Sequence, residues 1–296
     1  MLSPMARIAI IGGGSIGEAL LSGLLRAGRQ VKDLVVSERV PERAKYLADT
    51  YSVLVTSSLA DAVEHATFVV VAVKPADVES LMGELARVAA AAEDGSAEQV
   101  FVTVAAGITV TYFESKLPAG TPVVRAMPNA AAVVGAGVTA LAKGRFVTGP
   151  QLEEVSALFE AVGGVLSVPE SQMDAVTALS GSGPAYFFLM VEALVDAGVA
   201  AGLSRDVATG LTAQTMAGSA ALLLERLDQE RGPAGSEALG KQGDTAAAQL
   251  RATVTSPGGT TAAALRELER GGLRTAVDAA VQAAKKRSEQ LRITSE

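Results

Sequence analysis

The chain has 296 residues, of which 49% are apolar and only 4% aromatic, with no tryptophan. This length suffices for one large domain or two ordinary ones, and the apolar fraction excludes a disordered chain. A net charge of −7 argues against nucleic-acid binding through clustered lysines and arginines. With no cysteine and only one histidine, His65, the sequence excludes disulfide scaffolds, thiolate nucleophiles and metal sites built from cysteines or several histidines, so we expect no metal.

Neither a secretion signal nor a membrane span is predicted. The N-terminal segment passes from Arg7 directly into a short apolar strand, without the apolar stretch of a signal peptide. The most apolar helical run, Tyr186 to Leu203, contains Glu192 and Asp196, and two carboxylates argue against insertion in a bilayer. We therefore expect a soluble, cytoplasmic protein with neither nucleic-acid nor membrane partners.

Short apolar runs alternate with helical stretches in the first half of the chain. Helical periodicity is clear from Ile16 to Leu25 and from Asp77 to Ala92. Strands that alternate with helices predict βαβ units, right-handed crossovers and a doubly wound parallel sheet. The predicted strands cover residues 8–11, 34–36, 67–73, 100–104 and 122–126.

The pattern changes near residue 165, after which apolar residues follow helical spacing and β-branched runs almost vanish. An α/β half followed by an all-α half predicts two domains. We therefore predict a Rossmann-type N-terminal domain over residues 1–168 and an all-α C-terminal domain over residues 169–296. The predicted helices of the second domain cover residues 172–179, 185–201, 205–227, 246–254, 260–270 and 273–292.

A glycine motif follows the first predicted strand and opens the first helix. It has the form G-x-G-x-x-G, with Gly12, Gly14 and Gly17 around Ser15 and Ile16. The first glycine permits a tight turn, the second lets a pyrophosphate approach the backbone, and the third lets the helix pack against the strand. The pyrophosphate then lies at the positive end of the helix dipole. This motif predicts a dinucleotide site, the alternative being a tight turn without a ligand.

The end of the second strand bears on which dinucleotide binds. Enzymes that use NAD often carry an acidic residue there, whereas this chain has Ser37, followed by Glu38, Arg39 and Arg43. A serine beside guanidinium groups suits a 2′-phosphate, so NADPH is the preferred prediction. NADH remains the alternative, because Glu38 would hydrogen-bond a free ribose if it turned inward.

Two further segments follow predicted strands and should meet the ligand at the same edge of the sheet. The first is Ala72-Val73-Lys74-Pro75, where Pro75 is expected to stop the strand predicted at residues 67–73 and Lys74 is either a phosphate ligand or an ordinary surface lysine. The second is Ala105-Ala106-Gly107, whose small residues suit the floor beneath a nicotinamide ring.

The helical half contains two segments that are unusual for a purely structural bundle. One runs from Leu179 to Ala185 as L-S-G-S-G-P-A, and the other runs from Val254 to Thr261 as V-T-S-P-G-G-T-T. Each places glycines and hydroxyl groups before a predicted helix, a combination that suits a carboxylate. The alternative for each segment is a helix cap without a ligand.

The sequence resembles the pyrroline-5-carboxylate reductases from Ile8 to Arg292. The resemblance rests on four motifs that occur in the family's order. They are Ala72-Val73-Lys74-Pro75, Arg125-Ala126-Met127-Pro128-Asn129, the run from Ala178 to Tyr186, and Leu250-Arg251 leading into Val254–Thr261.

The resemblance implies NADPH- or NADH-dependent reduction of the C=N bond of 1-pyrroline-5-carboxylate to L-proline, in proline biosynthesis. It also implies a helical dimerisation domain, an active site at the dimer interface, and dimers that often assemble into rings of five. The family's substrate carboxylate is held by the turn that matches Ser256, Gly258, Gly259, Thr260 and Thr261, and the Thr261 position meets the imine nitrogen. Thr253 stands where relatives often carry asparagine, which puts its substrate role in doubt.

Two rival interpretations remain open at this stage. A β-hydroxyacid dehydrogenase would resemble this architecture, but those enzymes carry a catalytic lysine on the helix that corresponds to Ala185–Ala201, and this helix has no lysine. A non-catalytic NADP-binding dimer would keep the glycine motif but would have no need of the turn from Ser256 to Thr261. His65, between Glu64 and the fourth strand, is expected to be structural.

Overall fold

The protein is described by a computed structural model that covers residues 6–91, 99–231 and 243–292. Contacts divide the chain into two compact units. The first comprises Met1–Pro184 together with Val281–Glu296, and the second comprises Ala185–Ala280. The second unit is therefore inserted, in sequence, within the first.

The first unit is built on one eight-stranded sheet with the order β3-β2-β1-β4-β5-β6-β7-β8. Strands β1 to β6 run parallel, β7 is antiparallel to β6, and β8 is parallel to β7. The order 3-2-1-4-5-6 is that of a Rossmann fold, whose ligand crevice lies where the order reverses between β1 and β4. The strands are β1 (Ile8–Ile11), β2 (Leu34–Ser37), β3 (Leu54–Thr56), β4 (Phe68–Val71), β5 (Val100–Thr103), β6 (Val123–Met127), β7 (Gly137–Lys143) and β8 (Gly163–Ser167).

Helices cover both faces of this sheet, as the sequence predicts. Because side chains alternate along a strand, Ile8 and Ile10 of β1 enter one apolar core while Ala9 and Ile11 enter the other. Both cores consist mainly of buried aliphatic side chains. The helices of this unit are α1 (Ser15–Arg26), α2 (Pro41–Tyr51), α3 (Leu59–Val63), α4 (Pro75–Ala91), α5 (Val110–Lys116), α6 (Gly149–Glu160) and α7 (Met173–Val176).

The sequence prediction missed the short strand β3 as well as β7 and β8, and it misjudged Pro75. The residues of β7 are mostly small, and β8 begins with Gly163 and Gly164, so neither shows the β-branched run that identifies the other strands. The fourth strand already ends at Val71, and Pro75 is instead the first residue of α4. Proline suits that position because the first helical N–H groups have no partner within the helix.

The predicted loop between Leu179 and Ala185 is also wrong, because the chain stays helical there. A π-helical turn, Thr177–Gly181, joins α7 to the next helix, and the Ser182 N–H donates to the Thr177 carbonyl oxygen at 2.9 Å. Single π turns often occur at functional sites. The helices that follow are α8 (Gly183–Ala200), α9 (Arg205–Arg231), α10 (Gly243–Thr253), α11 (Thr260–Arg270) and α12 (Leu273–Gln290).

Within the described residues, two helical stretches are long and apolar enough to cross a membrane, contrary to our prediction that none would be. They are Glu170–Ala200 and Arg205–Gln229, and only 11% and 6% of their apolar windows are buried within the chain. Length and composition alone are weak grounds, because core helices of soluble proteins pass the same test. The exposed residues include Phe187, Phe188 and Leu189, each at least 60% exposed. An apolar surface of this kind calls for a partner.

Gly163 provides a test of how β7 and β8 pair. Its φ is +144°, and an added Cβ would overlap the backbone of Gly137, its partner in the ladder, whereas a Cβ on neighbouring Gly164 would meet nothing within 4 Å. We expect Gly163→Ala to lower the free energy of unfolding by about 2 kcal/mol or more, because backbone strain adds to the overlap. Gly164→Ala should leave it nearly unchanged. Denaturant unfolding of both variants checks this, and equal stabilities would contradict it.

Candidate active site

The glycine motif forms the turn between β1 and α1, and each glycine has a distinct environment. Gly12 has a φ of +103°, its N–H donates to the Ser37 carbonyl oxygen at 2.8 Å, and an added Cβ would lie 2.8 Å from the carbonyl oxygen of Ala72. An added Cβ on Gly17 would overlap the carbonyl oxygen of Gly12. Around Gly14, by contrast, an added Cβ would meet nothing within 4 Å. The open backbone at Gly14 and the uncapped start of α1 fit a pyrophosphate.

Glu38 turns inward onto this loop. Its Oε2 accepts from the Gly13 N–H at 3.0 Å, and its Oε1 accepts from the Val40 N–H at 2.9 Å. Ser37, the last residue of β2, is buried beside it. The carboxylate therefore stands where an acidic residue would meet a ribose hydroxyl.

The two arginines after β2 are both paired. Arg39 donates to Glu84 of α4 at 3.1 Å, and both side chains are well exposed. Arg43 donates through Nε to the Gly13 carbonyl oxygen at 2.7 Å and through Nη2 to Glu18. Exposed ion pairs are weak, so a phosphate would displace the Arg39 pair readily.

Glu18 and Tyr51 complete a polar cluster beside the glycine loop that sequence reasoning missed. The Tyr51 hydroxyl donates to Glu18 Oε1 at 2.8 Å, and burial together with this bond raises the pKa of Tyr51 to about 12. Burial raises the pKa of Glu18, but hydrogen bonds from Arg43, Tyr51 and Tyr46 outweigh it and hold that pKa below its ordinary value. The carboxylate thus stays charged. The cluster lines a groove along the outer face of α1 together with Ser15, Ala19, Ser22, Leu25, Arg26 and Val133.

The segments after β4 and β5 end at the same sheet edge as the glycine loop. The Ala72 N–H donates to the Ile11 carbonyl oxygen at 2.8 Å, and Lys74 is exposed. After β5, Ala105 is buried, Ala106 is exposed, and Gly107 has a φ of +76°. The structure therefore brings the predicted cofactor residues of β1, β2, β4 and β5 to one edge of the sheet, at the reversal of strand order.

The motif that ends β6 carries a buried arginine. Arg125 is 2% exposed and donates through Nη1 to Glu170 Oε1 at 2.9 Å. The sequence contains one indication of this pair, since Arg125 is a charged residue in an otherwise apolar strand. A fully buried arginine needs a partner. Two residues later, Met127 packs against the π turn, since a Cβ on Gly181 would lie 2.8 Å from Met127 Cε. Two of the four motifs that carry the resemblance thus contact each other.

The Ser180–Ser182 segment does not form the predicted anion site. The Ser180 hydroxyl donates back to the Val176 carbonyl oxygen at 3.0 Å, and helical backbone continues on both sides. Its amides therefore do not form the exposed end of a helix. Gly181 instead allows the close packing against Met127.

In the second unit, the turn before α11 has the predicted form. The Gly259 N–H donates to the Ser256 carbonyl oxygen at 3.0 Å, with Pro257 and Gly258 between them and a φ of +69° at Gly258. This is a type II turn, which needs glycine at its third position. Gly259 then caps α11 without any side-chain hydrogen bond, so the first amides of the helix, beginning at Thr260, keep their capacity to bind an anion.

The remaining predicted residues are Thr261 and Thr253 in this unit and His65 in the first unit. Thr261 is half-buried in the first turn of α11. Thr253 ends α10, and its hydroxyl donates back to the Gln249 carbonyl oxygen at 3.0 Å. In the first unit, the His65 ring is 80% exposed beside Glu64. Across the described ranges, no three His, Cys, Asp or Glu side chains are grouped as metal ligands.

Comparison with known proteins bears on both halves of the chain. Residues 170–291 match the family described as pyrroline-5-carboxylate reductase dimerisation, and residues 7–107 match the family described as NADP oxidoreductase coenzyme F420-dependent. The pyrroline-5-carboxylate reductase of Mycobacterium leprae is 81% identical over the whole length of both chains.

Solved structures agree with the sequence relatives. The pyrroline-5-carboxylate reductase from Coxiella burnetii has a TM-score of 0.86 at 33% identity and covers 98% of this chain and 100% of its own. The Plasmodium falciparum enzyme, solved with NADP bound, has a TM-score of 0.78 at 26% identity and covers 97% of this chain and 98% of its own. The protein is therefore an oxidoreductase that belongs to the pyrroline-5-carboxylate reductase family.

Proposed function

We propose that this protein reduces 1-pyrroline-5-carboxylate to L-proline, the last step of proline biosynthesis. The turn from Ser256 to Gly259 carries the proposal, because it leads into a helix whose first amides have no side-chain cap. Such amides, together with hydroxyl groups, suit a small carboxylate. A dinucleotide-binding protein without a substrate would not need this turn.

The residues of the turn have distinct parts in binding. The amides that follow Gly259 hold the substrate carboxylate, and the hydroxyl groups of Ser256 and Thr260 assist them. Gly258 makes the turn possible through its positive φ. The hydroxyl of Thr261 meets the imine nitrogen. Thr253 plays a smaller part, because its hydroxyl is already bonded to its own helix.

A site without a strong acid suffices for this reaction. A cyclic imine is basic and binds already protonated, so hydride addition at the imine carbon gives a neutral amine directly. Thr261 then needs only to orient the nitrogen through its hydroxyl. Holding the reactants in line is worth on the order of 7–11 kcal/mol in favourable cases, and this supplies most of the rate.

The first unit binds the dinucleotide that supplies the hydride. Gly12, Gly14 and Gly17 shape the pyrophosphate loop, with Ser15 and Ile16 at the start of α1. The small residues of Ala105–Gly107 form the floor beneath the nicotinamide. Ala72, Val73, Lys74 and Pro75 border the same crevice.

We propose NADPH as the preferred cofactor, with NADH also used. Arg39 supports the 2′-phosphate, because its pairing with Glu84 is exposed and easily exchanged. The inward carboxylate of Glu38 supports the free ribose of NADH. Ser37 leaves room for either group at the end of β2. The two residues thus act in opposite directions.

The protein acts as a homodimer in the cytoplasm. The exposed apolar side chains of α8 and α9 belong to the region that matches the dimerisation family, and a second copy covers them better than a bilayer, because Glu192 and Asp196 lie among them. Dimers assemble further into a decamer, without nucleic-acid, membrane or metal partners. In this arrangement residues 1–168 bind the dinucleotide, and residues 169–296 bind substrate and partner.

The reaction is tested by following oxidation of NADPH, then of NADH, at 340 nm with racemic 1-pyrroline-5-carboxylate and purified protein. We expect turnover with both cofactors and a higher kcat/KM with NADPH. Absence of turnover with either cofactor, from folded and dimeric protein, would overturn the assignment.

The role of Thr261 is tested by Thr261→Ala. We expect kcat to fall substantially without vanishing, because the hydroxyl orients a substrate that is already protonated. Thr261→Ser keeps the hydroxyl and should retain more activity than Thr261→Ala. Complete loss of activity in folded Thr261→Ala protein would instead identify Thr261 as an essential acid.

The cofactor roles of Arg39 and Glu38 are tested by Arg39→Gln and Glu38→Gln. A hydrogen bond to a charged group is worth about 1.5–3 kcal/mol, so Arg39→Gln should lower kcat/KM for NADPH roughly 10- to 100-fold and leave NADH nearly unaffected. Glu38→Gln should raise the NADPH-to-NADH ratio. Steady-state kinetics with both cofactors measure this, and parallel changes for the two cofactors in either variant would refute the division of roles.

A further inference from the structure

Within the first unit, one buried carboxylate binds two side chains at and just after the C-terminal end of α12. Asp174, 1% exposed, accepts a hydrogen bond from the Ser288 hydroxyl at 2.7 Å and another from Arg292 Nη2. Burial raises the pKa of Asp174, but the hydrogen bonds from Arg292 and Ser288 and the nearby positive charges outweigh it and hold that pKa below its ordinary value. The carboxylate is therefore charged and bound at both oxygens.

A second carboxylate, the partly exposed Glu170, lies four residues earlier and contacts the segment after β5. Glu170 Oε1 accepts from Arg125 Nη1 at 2.9 Å and from the Val110 N–H at 3.3 Å. The Nε and Nη2 atoms of Arg125 have no hydrogen-bond partner in the described part of the chain. Arg125 also contributes to the lowered pKa of Asp174, so the two pairs form one charge network.

The Asp174–Arg292 part of this network reaches the loop after β5 at Gly107. A Cβ added there would lie 2.6 Å from the carbonyl oxygen of Leu291, the residue before Arg292, and the φ of Gly107 is +76°. The backbone after α12 therefore lies directly against the loop Ala105–Gly107. Val110, at the start of α5, fixes the other end of the same segment through Glu170.

We propose that Asp174 and Arg292 are a positioning pair for the proposed floor of the nicotinamide site. The pair holds the backbone of Leu291 in place. Because Leu291 lies against Gly107, it in turn fixes the position of the loop Ala105–Gly107. The inference rests on the proposed function for the role of that loop. Neither residue is a catalytic residue, because each acts through the backbone of Leu291.

The test compares Arg292→Leu with Arg287→Leu, a matched control five residues earlier in the last turn of α12, where the exposed arginine side chain bonds only the Gln290 side chain among the contacts described. Hydrogen exchange reports the loop directly, so the amides of residues 105–110 should exchange faster in Arg292→Leu and unchanged in Arg287→Leu. Loop exchange equal to that of the unmodified protein in both variants would overturn the proposal.

Ligand binding and turnover separate a positioning role from a general loss of structure. In Arg292→Leu the Kd for 2′-phospho-ADP-ribose, which has no nicotinamide, should stay unchanged while kcat falls on the order of 10- to 100-fold, as expected for a small misplacement. Arg292→Lys keeps the charge and should recover part of kcat. Weakened binding of 2′-phospho-ADP-ribose with no selective loss of kcat would overturn the proposal.

If Arg292→Leu does not fold, Gly107→Ala provides a second test of the same proposal. It disturbs the same contact from the loop side and leaves the Asp174–Arg292 pair intact, so we expect the same faster exchange and reduced kcat. Normal exchange and kcat in Gly107→Ala would overturn the proposal. If the unmodified protein does not turn over 1-pyrroline-5-carboxylate, the proposed function fails, whereas the exchange measurements still decide the positioning role.

Discussion

Between Gly12 and Gly17 the first strand and the first helix approach so closely that no side chain fits between them. The same turn lies against the carbonyl group of Ala72, the first residue after β4, and its backbone is bonded to Ser37 at the end of β2. Close backbone contacts thus join three parallel strands at one edge. The proposed dinucleotide site depends on this geometry, because the Gly14 backbone remains uncovered at the positive, N-terminal end of α1.

Charged side chains then surround this backbone frame in two separate groups. Glu18, Glu38 and Arg43 support the glycine loop from outside, whereas Arg125 and Asp174 belong to a buried network beneath the loop after β5. A buried ion pair is weak support for stability in itself, since desolvation offsets the attraction. The network matters here for geometry, because each carboxylate binds two donors that are distant from it in sequence.

Much of this arrangement could be predicted from sequence, and the failures have physical reasons. The strands of the parallel core are continuous apolar runs, and the glycine motif has a spacing that few other turns require. Strand β7 was missed because it is made of small residues, and the segment around Ser180 was misread because a π turn satisfies its backbone within the helix. The partners of Asp174 lie more than a hundred residues away, a separation that no local pattern reveals.

The insertion of one unit within the other has a consequence for how the chain is made. During synthesis the sheet and α7 leave the ribosome before Ser288 and Arg292 do, so Asp174 lacks both hydrogen-bond donors until the segment that follows the second unit has emerged. The first unit therefore completes its structure only after the entire second unit has been translated.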